Sequence, residues 1–207
     1  MRTKIELDTW VRKEHFQFFN RFEEPYFSAV VNVDCTKAYP TAKEQGISFF
    51  LYYLHCCITA INQIEAFRYR AIGDEVFIYD DVDVSATIMR PNGTFGFSFI
   101  KYHPALTDFI KGAKKEIERV QAETGLPMMA FDENIIHASA LPWVNFTALT
   151  HARSFTYRDS IPKISFGKVT EQDGVRSMPV SITVHHGLMD GMQVGQFIDL
   201  FQQLLNQ

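Results

Sequence analysis

The sequence predicts an α+β two-layer sandwich, a mixed, largely antiparallel sheet with helices packed on one face, formed by a single domain over residues 1–207. Three observations carry this. Short β-like runs are mixed with helical ones without strict strand–helix alternation. The run ISFFLYYLHCCITAI at 47–61 is apolar almost throughout but shorter than the roughly 20 residues that cross a bilayer, so it reads as a buried helix. Finally, PVSITVHH at 179–186 alternates small or polar with branched apolar residues and leads through a turn into an amphipathic helix.

Taken in order, Ile5 and Leu7 suggest a short opening strand, and Asp8 or Thr9 can cap a helix that begins near Trp10 and carries Phe16, Phe19 and Phe22 on one side. Arg12 falls in its first turn, where a cation opposes the helix dipole. It therefore has an acidic partner elsewhere in the fold or stands solvated beside Lys13. FSAVVNV at 27–33 reads as a strand, 36–46 as a short polar helix entered or broken at Pro40, and 48–64 as the buried helix. FRYRAI, EVFIYD, VSATIMR and TFGFSFIKY follow as β candidates and suggest an antiparallel meander. A long amphipathic helix is expected from Ala105 to Thr124, with Leu106, Phe109, Ile110, Ala113, Ile117 and Val120 as its buried stripe and Gly125, Leu126 and Pro127 closing it. Between Phe131 and Phe146, Pro142 breaks a β-like run directly before Trp143, and ISFGKV supplies one more strand before the last.

In that last strand Val180, Ile182 and Val184 should face one side and Ser181, Thr183 and His185 the other, with His186 returning to the apolar face. Gly187 permits a turn, and Asp190 and Gly191 precede a helix whose Met192, Val194, Phe197, Ile198, Phe201, Leu204 and Leu205 recur at helical spacing. A histidine at a strand end, turned toward apolar side chains and shielded from bulk water, can act as a general base, which makes His186 the candidate. The same pattern fits a core histidine bonded to a backbone carbonyl, with Asp190 an ordinary helix cap. A metal site would need a third ligand beside His186 and Asp190, and no spacing suggests one, so no metal is expected.

Composition narrows the class. With 46% hydrophobic and 21% charged residues and 19 phenylalanines, the chain has apolar surface enough for a full core. A formal charge of −4 argues against a nucleic-acid partner. Three cysteines, Cys35 and the adjacent Cys56 and Cys57, point to a reduced, cytoplasmic protein, and residues 1–16 contain no signal-peptide core.

Five separated segments resemble the chloramphenicol acetyltransferase family: WVRKEHF at 10–16, GTFGFS at 93–98, SALPWVNF at 139–146, GK at 167–168 and VHHGLMDG at 184–191. They stand in the family's order from one end of the chain to the other; the last motif alone is shared with dihydrolipoamide acyltransferases. The resemblance implies a coenzyme A-dependent acyltransferase fold and a homotrimer with active sites between subunits. It further implies acetyl transfer from acetyl-CoA, a cosubstrate, to a hydroxyl, with no tightly held cofactor and a role in antibiotic resistance. Carried over to this sequence, His186 would take the acceptor's proton and the Ser139 hydroxyl would stabilise the tetrahedral oxyanion. Asp190 would pair with Arg12 to fix the shape of the site, His185 would be structural, and Trp143 and Lys168 would lie near the coenzyme A arm.

For the acceptor, Phe19, Phe27, Phe95, Leu126 and Leu149 keep the apolar character that suits chloramphenicol. Glu23 and His151 stand where apolar residues are usual in antibiotic-modifying members, His137 where asparagine is common, and Val169 where a tyrosine is usual. A carboxylate facing an apolar ring costs about 1–3 kcal/mol, so acetyl transfer is better supported than chloramphenicol as the natural acceptor. If Glu23 and His151 face each other they favour a polar or cationic acceptor. Two alternatives stay open: a different hydroxyl or thiol acceptor on the same fold, or a non-catalytic binding module that keeps the pocket.

Overall fold

The computed structural model describes residues 1–126 and 133–207; Pro127 and Phe131, which enter the expectations above, lie outside them. In chain order the described elements are β1 (Arg2–Lys4), α1 (Lys13–Phe19), β2 (Tyr26–Asp34), α2 (Ala38–Glu44), α3 (Phe49–Gln63), a 3₁₀ turn (Glu65–Arg68), β3 (Tyr69–Ile72), β4 (Glu75–Tyr79), β5 (Asp83–Met89), β6 (Phe95–Phe97), α4 (Leu106–Ala122), β7 (Ile135–Ala140), β8 (Lys163–Phe166), β9 (Thr170–Gln172), β10 (Val175–His185) and α5 (Gly191–Leu205). The larger sheet runs β2-β10-β8-β7-β5-β6, with β9 also paired to β10; the smaller runs β1-β4-β3. Pairing in the large sheet is antiparallel except at β5–β7 and β7–β8, which are parallel. The architecture is the mixed α+β arrangement expected from the sequence.

Strand β10 organises it. It is hydrogen-bonded along both edges, to β2 and to β8 and β9, and both its faces are covered: Val180, Ile182 and Val184 are buried, and so are Ser181, Thr183 and His185. Strands buried on both faces are usually apolar on both; β10 instead keeps an apolar row on one side and a polar row on the other. The apolar row continues through Ile164 and Phe166 on β8, Ile136 and Ala138 on β7 and Val84 and Ala86 on β5, all buried in the main core. There Phe166 meets Tyr53 of α3 at 4.6 Å between ring centres and Phe201 of α5 at 6.2 Å. Helix α3 buries Leu51–Leu54, Cys56–Ile58, Ala60 and Ile61, most of its circumference, which is why its sequence is apolar almost throughout instead of striped. Among the described residues no helix is long and apolar enough to cross a membrane.

Three local expectations are corrected. The opening strand is Arg2–Lys4, not centred on Ile5 and Leu7, although the Ile5 N–H still bonds Val76. The first helix starts at Lys13, not near Trp10. Asp8 pairs with Lys13 and the Thr9 hydroxyl bonds the Glu6 carbonyl, so neither caps it, and it ends before the exposed Phe22. The four β candidates do not form one meander. β3 and β4 join the small sheet, while β5 leaves for the large sheet and pairs in parallel with β7. A strand's composition records its burial but not its partner, and the partner here comes from more than 40 residues downstream.

Gly167 holds the end of β8 against the turn that carries Trp143: its N–H bonds Pro179 at 2.8 Å, and the next N–H, of Lys168, bonds Val144 at 2.8 Å. A Cβ there would stand 2.5 Å from Pro179 Cγ and 2.8 Å from the Val144 carbonyl oxygen. Gly167→Ala is expected to lower stability by about 1–3 kcal/mol, read as a lower urea midpoint at unchanged slope. An unchanged midpoint would mean that the turn yields freely.

Candidate active site

His186 follows directly on β10. Its N–H bonds the Pro25 carbonyl at 2.7 Å, and its ring lies stacked on Phe19 (4.2 Å, 12°) and tilted against Phe27 (4.6 Å, 49°). Phe27 pairs with Val184, so the imidazole sits on the apolar side of the sheet. Its Nδ1 is buried and has no hydrogen-bond partner among the described residues. The ring is thus positioned by aromatic faces and not by a hydrogen bond to Nδ1.

Arg12 ties this segment to the first helix. Its guanidinium donates to Asp190 Oδ2 at 2.9 Å and to the His186 carbonyl at 3.2 Å. Asp190 also caps α5: its Oδ1 accepts from the Met192 N–H at 3.0 Å, while Gln193 accepts from the Asp190 N–H at 3.0 Å. Ion pair and helix cap therefore coexist on the two oxygens of one carboxylate, and the bond from Arg12 holds that carboxyl below its ordinary range. His185, buried, accepts the Gly187 N–H on Nδ1 at 3.1 Å and shapes the turn.

Ser139 belongs to the opposite, polar face. The register aligns Ser85, His137 and Lys163 across β5, β7 and β8, with Thr87, Ser139 and Ser165 as the next row. Two clefts meet at Thr87, Ser139 and Phe95. One, about 680 Å³, is lined mainly by apolar groups including Tyr53, Ile117, Pro142 and Trp143. The other, about 600 Å³, is lined by Ser85, His137, His151, Asp159, Lys163 and Ser165 with Phe95 and Phe97 as its apolar wall. Burial, then the neighbouring Lys163, pushes His137 down to about 4; His151 is lowered for the same two reasons. Lys163 bonds Asp159 Oδ1 at 2.8 Å, and Tyr26 donates to the same carboxylate oxygen at 2.7 Å.

Within one chain His186 and Ser139 are far apart. Ser139 pairs with Ser165 and Ser165 with Ser181, so Ser139 stands level with a residue five positions before His186 and two strands away. At about 3.3 Å per residue and 4.8 Å per strand, the two side chains are on the order of 20 Å apart, on opposite faces of the sheet.

The other expected residues divide accordingly. Phe19 and Phe27 surround His186, whereas Phe95 and His151 line the cleft at Ser139. Trp143, 67% exposed, lines the apolar cleft, and the exposed Lys168 is one hydrogen bond from Val144. Within one chain Glu23 and His151 line different cavities. Glu23 is exposed and lines the smaller one, beside His185. Leu126, 53% exposed, and Leu149, half-buried, are not among the described lining residues of either cleft. Ser85, Thr87, Asp159 and Lys163 escaped the sequence reading; the available signal, for Lys163 alone, was a lysine inside the mostly apolar run IPKISF.

A family model described as "Chloramphenicol acetyltransferase" matches residues 1–202. The chain belongs to that family. It is 30% identical over 207 residues to chloramphenicol acetyltransferase 3 of Escherichia coli, covering 99% of this chain and 97% of that protein. The Proteus mirabilis chloramphenicol acetyltransferase is 29% identical over 204 residues, covering 98% and 94%. A solved chloramphenicol acetyltransferase superposes with a TM-score of 0.91 at 32% identity, covering 99% of this chain and 100% of that one. The Azotobacter vinelandii dihydrolipoamide acetyltransferase shares the fold, with a TM-score of 0.68 at 16% identity over 88% of this chain and 82% of that one.

Two outcomes follow from the site's geometry. Asp190→Asn keeps a good cap and loses the ion pair, while Asp190→Ala loses both, so Ala should be less stable than Asn by about 1 kcal/mol in urea melts. Equal losses would deny the cap a role. His137 and His185 are both held by burial at about 4, below the ordinary 6.5. The unfolded chain takes up protons that the folded one refuses, so their contribution is complete above about pH 6.5 and is lost as the pH falls toward 4. The urea midpoint should drop between pH 7.5 and pH 5, and His137→Asn should make that drop smaller.

Proposed function

We propose that the protein is a cytoplasmic, acetyl-CoA-dependent O-acetyltransferase acting on chloramphenicol or a related hydroxyl acceptor, as a homotrimer whose active sites lie between copies. His186 takes the proton of the acceptor hydroxyl as its oxygen attacks the thioester carbonyl. The Ser139 hydroxyl donates to the resulting oxyanion, with Thr87 Oγ1 donating to Ser139 Oγ from 3.3 Å. The attack forms the O–C bond of the ester, collapse of the tetrahedral intermediate re-forms the carbonyl and breaks the C–S bond, and the imidazolium gives its proton to the departing thiolate of coenzyme A. Acetyl-CoA is a cosubstrate. Its arm occupies the apolar cleft beside Trp143, with Lys168 near its charged end, and its thioester reaches Ser139 where the two clefts meet.

The observation that carries this reading is the separation of base and oxyanion donor. Each lies in a formed environment, His186 between two aromatic rings and Ser139 at the junction of two clefts, yet a single chain keeps them apart. A second copy that brings its own His186 to this Ser139 completes the site, as a cyclic assembly can do for every copy at once.

Coenzyme A release followed with a thiol reagent tests it. His186→Ala should lower the rate about 10²- to 10⁴-fold, and Ser139→Ala about 10²- to 10³-fold. The two inactive variants, unfolded and refolded together, should regain about a quarter of wild-type activity, because random mixing gives some sites an intact residue from each copy. Sedimentation as an active monomer, or no recovery from co-assembled chains, would refute the shared site.

A further inference from the structure

The polar cleft at Ser139 has a chemistry of its own, and the inference drawn from it rests on the proposed acetyl transfer at that serine. Ser85 Oγ is the most telling group. The residue is 2% exposed, it lines the cleft, and its hydroxyl has no hydrogen-bond partner among the described residues. A buried hydroxyl in that condition is stabilised by whatever polar group enters beside it.

The charges in the cleft, by contrast, are engaged. The Lys163 ammonium reaches Asp159 Oδ1 at 2.8 Å, the Ile161 carbonyl at 3.2 Å and the Tyr26 hydroxyl at 3.4 Å, which uses its three donors. Asp159 Oδ1 accepts in addition from the Ile161 N–H at 3.0 Å, and Arg153 pairs with Glu24. Burial holds His137 and His151 toward the uncharged form, so neither adds a charge to the floor, and His151 Nε2 lies 3.5 Å from the Ser165 hydroxyl. Hydroxyls at Thr87 and Ser165 continue the polar floor, and Phe95 and Phe97, 5.6 Å apart edge to face, supply an apolar wall.

Chloramphenicol returns fewer hydrogen bonds to a floor of this kind, since its dichloromethyl group makes none of ordinary strength and its nitro oxygens only accept, weakly. A charged acceptor would compete with partners already in place. We infer that the cleft takes a neutral, hydroxyl-rich acceptor with one apolar face, a glycoside being the simplest class, and that Ser85 determines this preference while the closed Asp159–Lys163 pair leaves the floor without a free charge.

Wild-type protein would be assayed for coenzyme A release, and by titration calorimetry for binding, with phenyl β-glucoside, chloramphenicol and the cationic kanamycin. Phenyl β-glucoside is expected to give about tenfold higher kcat/KM than either of the others and to bind tighter in the same proportion. Ser85→Ala should lower the glucoside-to-chloramphenicol ratio of kcat/KM about tenfold, and Lys163→Met, which frees the Asp159 carboxylate, should raise the kanamycin-to-glucoside ratio about tenfold. Preference for chloramphenicol or kanamycin in the wild type, or a glucoside preference that neither variant changes, would overturn the inference. Absence of release with every acceptor would instead count against acetyl transfer. Calorimetry then decides the cleft's preference: glucoside binding weakened by Ser85→Ala supports it, and no glucoside binding overturns it.

Discussion

A strand buried on both faces imposes a division of labour that the rest of this fold obeys. β10 has neighbours along both edges and cover above and below, so its side chains cannot use water to satisfy polar groups. The apolar row drives the helices onto one side through burial of Phe166, Phe197 and Phe201. The polar row on the other side has to be satisfied locally, and part of that need is met in pairs such as Ser28 and Thr183, 2.7 Å apart. The cleft at Ser139 grows out of the same row, because strand register carries the polar positions of β10 across β8, β7 and β5.

The second constraint is the contact between Arg12 and the segment around His186. It joins residues 178 positions apart, holds the His186 carbonyl and stabilises the start of α5 through the same carboxylate that caps it. Arg12 at the N-terminal end of α1 opposes that helix's dipole, a local cost that its acidic partner offsets. The arrangement fixes the main chain of His186 while Phe19 and Phe27 orient its ring, so the imidazole is placed without a bond to Nδ1 among the described residues.

These two structures, the polar face and the clamped histidine, lie on opposite sides of one sheet. Under the proposed mechanism their separation is a physical reason to depend on more than one copy, since one chain holds His186 and Ser139 on opposite faces. It also explains why apolar residues expected in one pocket divide between two places. Phe19 and Phe27 belong with His186, while Phe95 belongs with Ser139.

The sequence by itself determined what depends on near neighbours and on periodicity. The buried helix α3 and the amphipathic helices α4 and α5 could be read from it, and so could the alternation of β10, the turn at Gly187 and the motifs that resemble the family. Helical and strand periods are written in spacings of a few residues, and apolar patterning survives whatever the element packs against. Only the tertiary structure decided which strands are partners, where Glu23 points, and that Ser85, His137 and Lys163 form one row. Register joins residues tens of positions apart, and hydrogen bonding between main chains is indifferent to side-chain identity. For the same reason Asp190 could be read as a helix cap or as an ion-pair partner, and only the fold, by bringing Arg12 to its second oxygen, allowed it to be both.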